Sequence, residues 1–380
     1  MVVHAYYKDD TRVRREAEAL IEHGKQVDIV CLRKDDEPLT ETFKGATIHR
    51  CNIGRSKERT KVKYILEYLT FAFLAMLKVT RLFFSRKPKI VVTHNMPNFL
   101  VFASLIPRLF GAKIVLDMHD VMPELYTNLF NIRGGSLLQK ALYIEEKISA
   151  RFCHELITVN AYIEELLSTR IGKPFHIVYN TPDPNALQVT ERRNHEEAEF
   201  LLFHHGNIQK RYGLERVIPV LKQLNEESGD YKLEVHGLGP YYDDIKAQVK
   251  EADLEQHASL NGRFTPESIG EHIARADVGL VPNYADEFAD ILLPVKLLEY
   301  VACRVPVITA RMKAVEQCFD ESMVYYFDTE EDMANLIKHI RNNPQEAAER
   351  ADKAWHQLQE IAWDRQKIHY VKLMEALANK

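Results

Sequence analysis

Paired cysteines, long apolar runs and metal-ligand spacings are what this chain lacks. Its five cysteines (Cys31, Cys51, Cys153, Cys303 and Cys318) lie far apart, with an odd total and no C-x-x-C pair. A disulfide framework is thereby excluded, and free thiols in a reducing compartment are expected. No zinc-site spacing is present. No apolar run reaches the roughly 18 residues of a spanning helix, and the opening MVVHAYYKDD does not have the basic-then-apolar layout of a secretory signal. A cytoplasmic location is the expectation. The formal net charge of -5 argues against a whole-protein role on nucleic acid, although it leaves local patches open. No short-period repeat or low-complexity tract breaks the sequence.

What is present is enough apolar residue for more than one core. A chain of 380 residues with 46% hydrophobic and 28% charged content points to two packed domains. Short Val/Ile/Leu runs alternate with segments of helical period, the pattern of parallel sheets covered by helices. Strands are expected at QVDIVCLR, KIVVTH, KIVLDMH, ELITVN and FHIVYN in the first half. In the second half they are expected at FLLFHHG, KLEVHG, ADVGLVP, VPVITA and MVYYF. The helix TRVRREAEALIEHG should stop at Gly24. NTPDPNALQVTERRNHEEAE reads as a hinge linker. The expected division is residues 1–185 and 190–362, with the final segment 363–380 considered below.

Ligands of open α/β sheets bind beyond the C-terminal ends of the strands, so residues just after each strand carry most of the functional information. FHHGNIQKRYGLE brackets Lys210 and Arg211 with Gly206 and Gly213. Such a loop can hold a phosphate on backbone N–H groups and a helix dipole, or it can be a solvated loop with surface cations. HGLGPYY, with Gly237, Gly239 and Pro240, is a tight strand-to-helix turn whose G-x-G is weak by itself. In ILLPVKLLEYVACRVPVITA, Pro294 is expected at the first helical position with Leu293 as an ineffective cap. Lys296 then sits in the first turn, where a cation is disfavoured unless an anion faces it, and Glu299 shares its face. The alternative is an ordinary i, i+3 ion pair.

These motifs together with LDMHDVMPELY, ITVNAYIEELL, VYNTPD, ADVGLVP and IAWDRQKIHYVKLMEAL resemble, in order and spacing, the GT-B glycosyltransferases of retaining family 4 (glycosyl transferases group 1). The resemblance implies an α/β GT-B fold, two Rossmann-like domains facing each other across a cleft, with helix 363–380 packing back on the N-terminal domain. It implies a nucleotide-sugar donor, UDP- or GDP-linked, and no metal cofactor. Arg211 and Lys296 would be the cations on the departing diphosphate, with Lys210 a weaker one, and His119 would face the transferred sugar or acceptor. Glu299 would take the ribose hydroxyls, while Gly206, Gly239 and Pro294 shape the donor site. His94, Asn95, Glu124 and Arg12 fall on the acceptor side. Alternatives remain: Asp117 and His119 as a strand-end pair, Glu124 as a helix cap, and Arg12 with Arg15 as a solvated helix start.

The chain departs from the family pattern in three places. Ile291 stands where the first glutamate of E-x7-E belongs, with Asp286, Glu287 and Asp290 nearby. Arg304 replaces a small glycine, as an extra polar contact or a surface substitution. YYKDDTRVRRE replaces the usual glycine-rich loop after the first strand. Finally, the segment from 55 to 89 carries basic residues at 55, 57, 59, 61 and 63, then an interrupted apolar helix. It suits the interface of an anionic bilayer or packing on the N-domain sheet. The resulting expectation is a sugar transfer from a nucleotide donor to a glycan or lipid-linked saccharide. The alternatives are a GT-B nucleotide-sugar 2-epimerase and a non-catalytic nucleotide- or glycan-binding partner subunit.

Overall fold

The computed structural model describes residues 1–55, 61–129, 135–182, 187, 199–262 and 268–380. Most of the expected hinge linker, and the cations at 57 and 59, lie outside the described residues. The chain divides into two compact units, Met1–Asn180 with Asp364–Lys380, and Thr181–Trp363.

The first unit runs β1 (Val2–Val3), α1 (Thr11–Glu22), β2 (Asp28–Cys31), β3 (Thr40–Phe43), β4 (Ala46–Arg50), α2 (Lys61–Arg86) and β5 (Ile90–His94). It continues with α3 (Leu105–Leu109), β6 (Lys113–Met118), α4 (Met122–Leu129), α5 (Leu137–Phe152), β7 (Glu155–Thr158), α6 (Ala161–Ile171) and β8 (His176–Ile177). The sheet order is β3-β4-β2-β1-β5-β6-β7-β8, parallel except for β3 against β4. Helix α1 starts because the Asp10 carboxylate accepts the Val13 N–H at 3.0 Å, an N-cap. It ends at Glu22, just before Gly24 at φ +75°. The β3–β4 hairpin was not expected. Its turn places Lys44 (φ 48°) and Gly45 (φ 84°) both in the left-handed region, as a two-residue hairpin turn requires.

The second unit runs β9 (Phe200–His205), α7 (Val217–Glu227), β10 (Tyr231–His236), α8 (Tyr242–Glu251), β11 (Ala258–Leu260), α9 (Ile269–Ala274) and β12 (Val278–Val281). Then follow α10 (Val295–Ala302), β13 (Val307–Ala310), α11 (Lys313–Glu316), β14 (Tyr325–Phe327), α12 (Glu330–Asn342) and α13 (Pro344–Ile361), after which α14 (Trp363–Ala378) returns the chain to the first unit. All strands are parallel, in the order β11-β10-β9-β12-β13-β14. Numbered from β9 this is 3-2-1-4-5-6, the dinucleotide-fold order, with its switch point between β9 and β12. Gly279 in β12 allows α10 to lie close, since a Cβ there would stand 2.4 Å from the Tyr300 ring.

Residues Asp364–Lys380 complete the first unit. Gln366 Oε1 accepts the Tyr179 N–H at 3.2 Å, Lys25 pairs with Glu375 at 2.7 Å and Lys367 pairs with Glu22. All five cysteines are buried and unbridged. Among the described residues no helix is long and apolar enough to cross a membrane.

Candidate active site

The second unit gathers its cations at the switch point. Strand β9 ends in His204 and His205, and Gly206 follows at φ +112°, a conformation open to glycine. The Gly237 position is tighter, since a Cβ there would lie 1.8 Å from the Gly206 carbonyl oxygen, and one at Gly239 would lie 2.1 Å from that of Ile208. The two strand-end loops therefore run backbone against backbone. From the first turn of helix α10 the Lys296 side chain reaches Gly206.

One expectation about that helix is corrected. Pro294 is the N-cap, not the first helical residue, with φ -65° and ψ 126°. Its carbonyl accepts the Leu297 N–H at 3.0 Å, and no side chain caps the helix. Lys296 remains in the first turn. Its ammonium donates to His204 Nε2 at 3.2 Å, while His204 Nδ1 lies 3.1 Å from the Leu280 carbonyl oxygen. The carbonyl requires N–H at Nδ1, so Nε2 is left as the acceptor for lysine. A Cβ at Gly206 would lie 3.6 Å from Lys296 Nζ.

The alternative of an i, i+3 ion pair between Lys296 and Glu299 is not formed, and Glu299 Oε2 lies 3.3 Å from His205 Nε2 instead. Burial pushes the Lys296 ammonium down to about 7, against the pull of Glu299. Burial also holds His204 and His205 well below the usual histidine range, and the Lys296 charge adds to it. Arg211 lies 5.1 Å from the Tyr212 ring centroid and 4.9 Å from that of Phe288. Lys296 lies 5.4 Å from the same Tyr212 ring. The Arg211 Nε is buried without a hydrogen-bond partner. Among the described residues, neither Lys296 nor Arg211 has a carboxylate at ion-pair distance, and Lys210 is exposed. A cation in the first turn of an uncapped helix and a second cation sharing the Tyr212 ring with it, neither with a carboxylate at ion-pair distance among the described residues, form a site for a polyanion.

The acids near Ile291 divide clearly. Asp286 Oδ1 accepts the Ala289 N–H at 2.6 Å, and Asp290 pairs with Lys313 at 2.9 Å. Glu287 is exposed without a partner among the described residues. Ile291 is buried.

In the first unit the strand-end residues are closed on one another. Two of the acceptor-side expectations are overturned here. Arg12 is buried, neither an acceptor contact nor a solvated helix start. Its Nε and Nη2 donate to the two Asp117 oxygens at 2.9 and 3.0 Å, and Nη1 donates to the Val178 carbonyl at 3.0 Å. Glu16 lies 3.2 Å away on the same guanidinium. His94 is also fully buried, with Nδ1 3.0 Å from Asp117 Oδ2. Both residues are spent on Asp117, whose position 105 residues from Arg12 no local pattern reveals.

Asn95 is buried too, and its Oδ1 accepts the backbone N–H groups of His119 and Asp120 at 3.1 and 3.2 Å. It shapes the turn that carries His119. Glu124, in the first turn of α4, pairs with Arg170 at 2.6 Å. His119 is the member left partly open, with 22% of its side chain exposed and Nδ1 3.8 Å from Asp117. Burial would lower its pKa, but Asp117 outweighs burial and raises it. For Asp117 itself, burial pushes up, and the Arg12 charge together with the His119 and His94 imidazoles overcomes it, holding the carboxyl well below its ordinary value. Burial raises Glu16, and both burial and Glu16 raise the Tyr370 hydroxyl of α14.

Among the described residues two groups offer convergent metal-ligating atoms, His94/Asp117/His119 and Glu234/His236/His272. In each an arginine already holds the carboxylate, Arg12 on Asp117 and Arg275 on Glu234 at 3.0 Å. Sequence reading had missed His204, His205, Tyr212 and Phe288. The doubled histidine before Gly206 was the signal available for the first two.

Two parallel-sheet units of this kind make up the GT-B architecture of glycosyltransferases. The chain belongs to the group 1 glycosyltransferases: the family model "Glycosyl transferases group 1" matches residues 188–357, and "Glycosyl transferase 4-like domain" matches 10–181. Over 190 residues it is 23% identical to the amylovoran biosynthesis glycosyltransferase AmsK of Erwinia amylovora, a match covering 50% of this chain and 44% of that protein. The matched stretch is thus less than half of that relative. Sucrose-phosphate synthase of Thermosynechococcus elongatus shares the fold at TM-score 0.77 and 16% identity, covering 99% of this chain and 98% of the other. Anabaena HepE, solved with UDP and glucose, does so at TM-score 0.72 and 13% identity, covering 99% and 98%.

Proposed function

We propose that the protein transfers a sugar, with retention of anomeric configuration, from a UDP- or GDP-linked donor to a lipid-linked saccharide at an anionic membrane surface. The observation that carries the donor half is Lys296, in the first turn of α10 beside Gly206, with Arg211 on the same Tyr212 ring, neither having a carboxylate at ion-pair distance among the described residues. A sugar leaves its nucleotide through an oxocarbenium-like transition state in which negative charge grows on the diphosphate. Fixed cations and N–H donors placed there lower the barrier without needing to reorganise. Lys296 and Arg211 take that charge, in the place a divalent ion holds in other transferases. Glu299 accepts from the ribose hydroxyls, and the Gly206 loop lets backbone approach the donor. The HepE complex with UDP supports a uridine nucleotide. Retention rests on the family resemblance, with the acceptor hydroxyl attacking from the leaving-group side.

On the first unit, His119 is assigned to the transferred sugar or acceptor, held by Asp117 and the Asn95 clamp. The name of AmsK supports a role in polysaccharide assembly. The lipid link is supported by α2. It buries Tyr68, Phe71, Ala75 and Val79 on one face, and on the opposite face leaves Leu66, Leu69, Phe73, Leu77 and Phe84 each more than half exposed. The exposed cations Lys63 and Arg81 flank that stripe, the composition of an interfacial helix on anionic lipid. Titration with UDP- and GDP-sugars, followed by NMR of the product anomer, tests the reading. Glu299→Gln should weaken donor binding by about 1–3 kcal/mol, as for loss of a charge-assisted hydrogen bond. Unchanged donor affinity in that variant, or an inverted product, would overturn the corresponding part.

A further inference from the structure

We infer that the first unit carries a binding cavity for the hydrocarbon chain of the acceptor lipid, between α2, α4 and α5. This deepens the reading of a lipid-linked acceptor and rests on it. The cavity has a volume of about 340 Å³ and is walled by Tyr64, Tyr68, Phe99, Met122, Tyr126 and Leu142. Tyr64 and Tyr68 pack edge to face with centroids 5.2 Å apart. Among the described residues Glu145 is the only carboxylate in the lining. It accepts hydrogen bonds from Ser149 Oγ at 3.0 Å and from the Asn98 amide at 3.3 Å. Burial pushes its carboxyl up to about 7, so this wall carries less charge than an ordinary carboxylate would give it. With roughly 30 Å³ per water-sized group, the space suits on the order of ten carbons, a segment of a chain whose remainder stays in the bilayer.

Two juxtapositions commit the cavity to this occupant. Its mouth is formed by Ile65, Leu69 and Leu138, which line it and are themselves 59%, 52% and 56% exposed. Leu69 belongs to the exposed apolar stripe of α2, so a chain can pass from a bilayer into the cavity without crossing water. Exposing hydrocarbon on that path would be costly, whereas burying it stabilises the bound state. The lining of the cavity is joined to the candidate acceptor site through short stretches of chain. Pro97 and Met122 line the cavity, and they lie two and three residues from Asn95 and His119, the clamp and the side chain that it orients. A lipid held by its first carbons therefore presents its headgroup at His119. Lys63 and Arg81 beside the stripe suit the anionic surface from which such a lipid comes.

The test uses the full-length protein in detergent-free buffer, with 11-(dansylamino)undecanoic acid as fluorescent probe and farnesyl phosphate as competitor. Wild type should bind the probe saturably and release it to farnesyl phosphate. Ala141→Trp, at an exposed position in the lining, and Leu138→Arg at the mouth should each weaken probe binding at least tenfold. The triple variant Leu66→Ser, Phe73→Ser, Leu77→Ser lies off the cavity. It should lose flotation with phosphatidylglycerol vesicles and keep probe binding. A circular dichroism spectrum and a cooperative urea transition like those of wild type show that each variant is folded in both units, and a retained UDP thermal shift reads the donor assignment separately from the lipid cavity. The inference is overturned if wild type does not bind the probe, or if both cavity variants bind it as wild type does. It is equally overturned if only the stripe variant loses the probe, which would assign the hydrocarbon to the bilayer surface alone.

Discussion

The two units both place charge at the C-terminal ends of their strands, and they treat it in opposite ways. In the first unit the Arg12 guanidinium is matched donor by donor: to both oxygens of Asp117, to Glu16 and to a backbone carbonyl. In the second unit Lys296 and Arg211 face aromatic rings and a neutral histidine. A matched buried charge is finished when the chain folds, and its work is to hold neighbours such as His119 in place. An unmatched one still carries its desolvation cost and is stabilised when an anion arrives. Partner inventory therefore separates structural cations from ligand-binding cations where burial alone does not.

The comparison breaks most visibly at Arg12. Arg12→Ala leaves Asp117 buried and uncompensated, so it should cost about 3–5 kcal/mol of stability, read by urea unfolding. Below its own unfolding temperature the variant should still bind UDP with near wild-type affinity, because the lost contacts belong to the first unit. A stable Arg12→Ala protein with impaired UDP binding would reverse the assignment of the two clusters.

In Lys296→Ala and Arg211→Ala the effects should exchange places. Each removes a preorganised charge facing the departing diphosphate, so kcat should fall by about 10² to 10³. The unfolding midpoint should hold or rise, since a desolvated charge without a carboxylate is removed. Wild-type turnover in both variants would eliminate the donor site.

A smaller effect sharpens the same contrast through pH. Burial lowers Lys296 to about 7, so the free protein loses that charge as pH rises above 7. A diphosphate favours the ammonium, and binding above pH 7 must then take up a proton. UDP affinity should fall with rising pH, by up to about tenfold per unit for one linked proton, and Lys296→Met should remove that slope. The stability sign is opposite. The unfolded lysine, near 10.4, binds more protons than the folded one between about pH 7 and 10, so ligand-free wild type should gain stability over Lys296→Met across that window. Isothermal titration at pH 6.5, 7.5 and 8.5 checks the first statement, and urea melts at the same values check the second.

How far the sequence made this legible depends on the range of the interaction. The interior strands were readable because strands buried on both faces are near-continuous Val/Ile/Leu runs, as in KIVVTH and KIVLDMH. The two-residue β1, the polar alternation of β3 and the short β11 carry no such run. Lys296 and Glu299 stood out because a cation in a first helical turn conflicts with the dipole, a local conflict visible in eight residues. Arg12 and His94 were misplaced because strand-end position was visible while their common partner Asp117 was remote in sequence. Tyr212 and Phe288 gain meaning only when loops from two strands converge on Arg211. The α2 stripe was anticipated as an apolar helix among cations, but not the cavity beside it, which needs α4 and α5.

Arg304 provides the smallest and most controlled test, a matched cation on the same unit as the unmatched pair. It stands where the family has glycine, and its φ of +53° explains the glycine. The arginine is held by a stack 4.2 Å from the Trp355 centroid and by Asp352 at 3.3 Å, half exposed on both sides. A non-glycine residue there costs on the order of 1 kcal/mol. The stack contributes about 0.5–1 kcal/mol at an exposed site and the screened ion pair less than about 1. Arg304→Ala keeps the strained backbone and loses both contacts, so it should be destabilised by about 1 kcal/mol. Arg304→Gly loses the contacts and the strain together, so it should melt close to wild type. Donor affinity should be unchanged in both, because this charge is already matched. Equal melting of the Ala variant and wild type would show that the stack adds nothing, and a Gly variant less stable than the Ala variant would refute the backbone explanation.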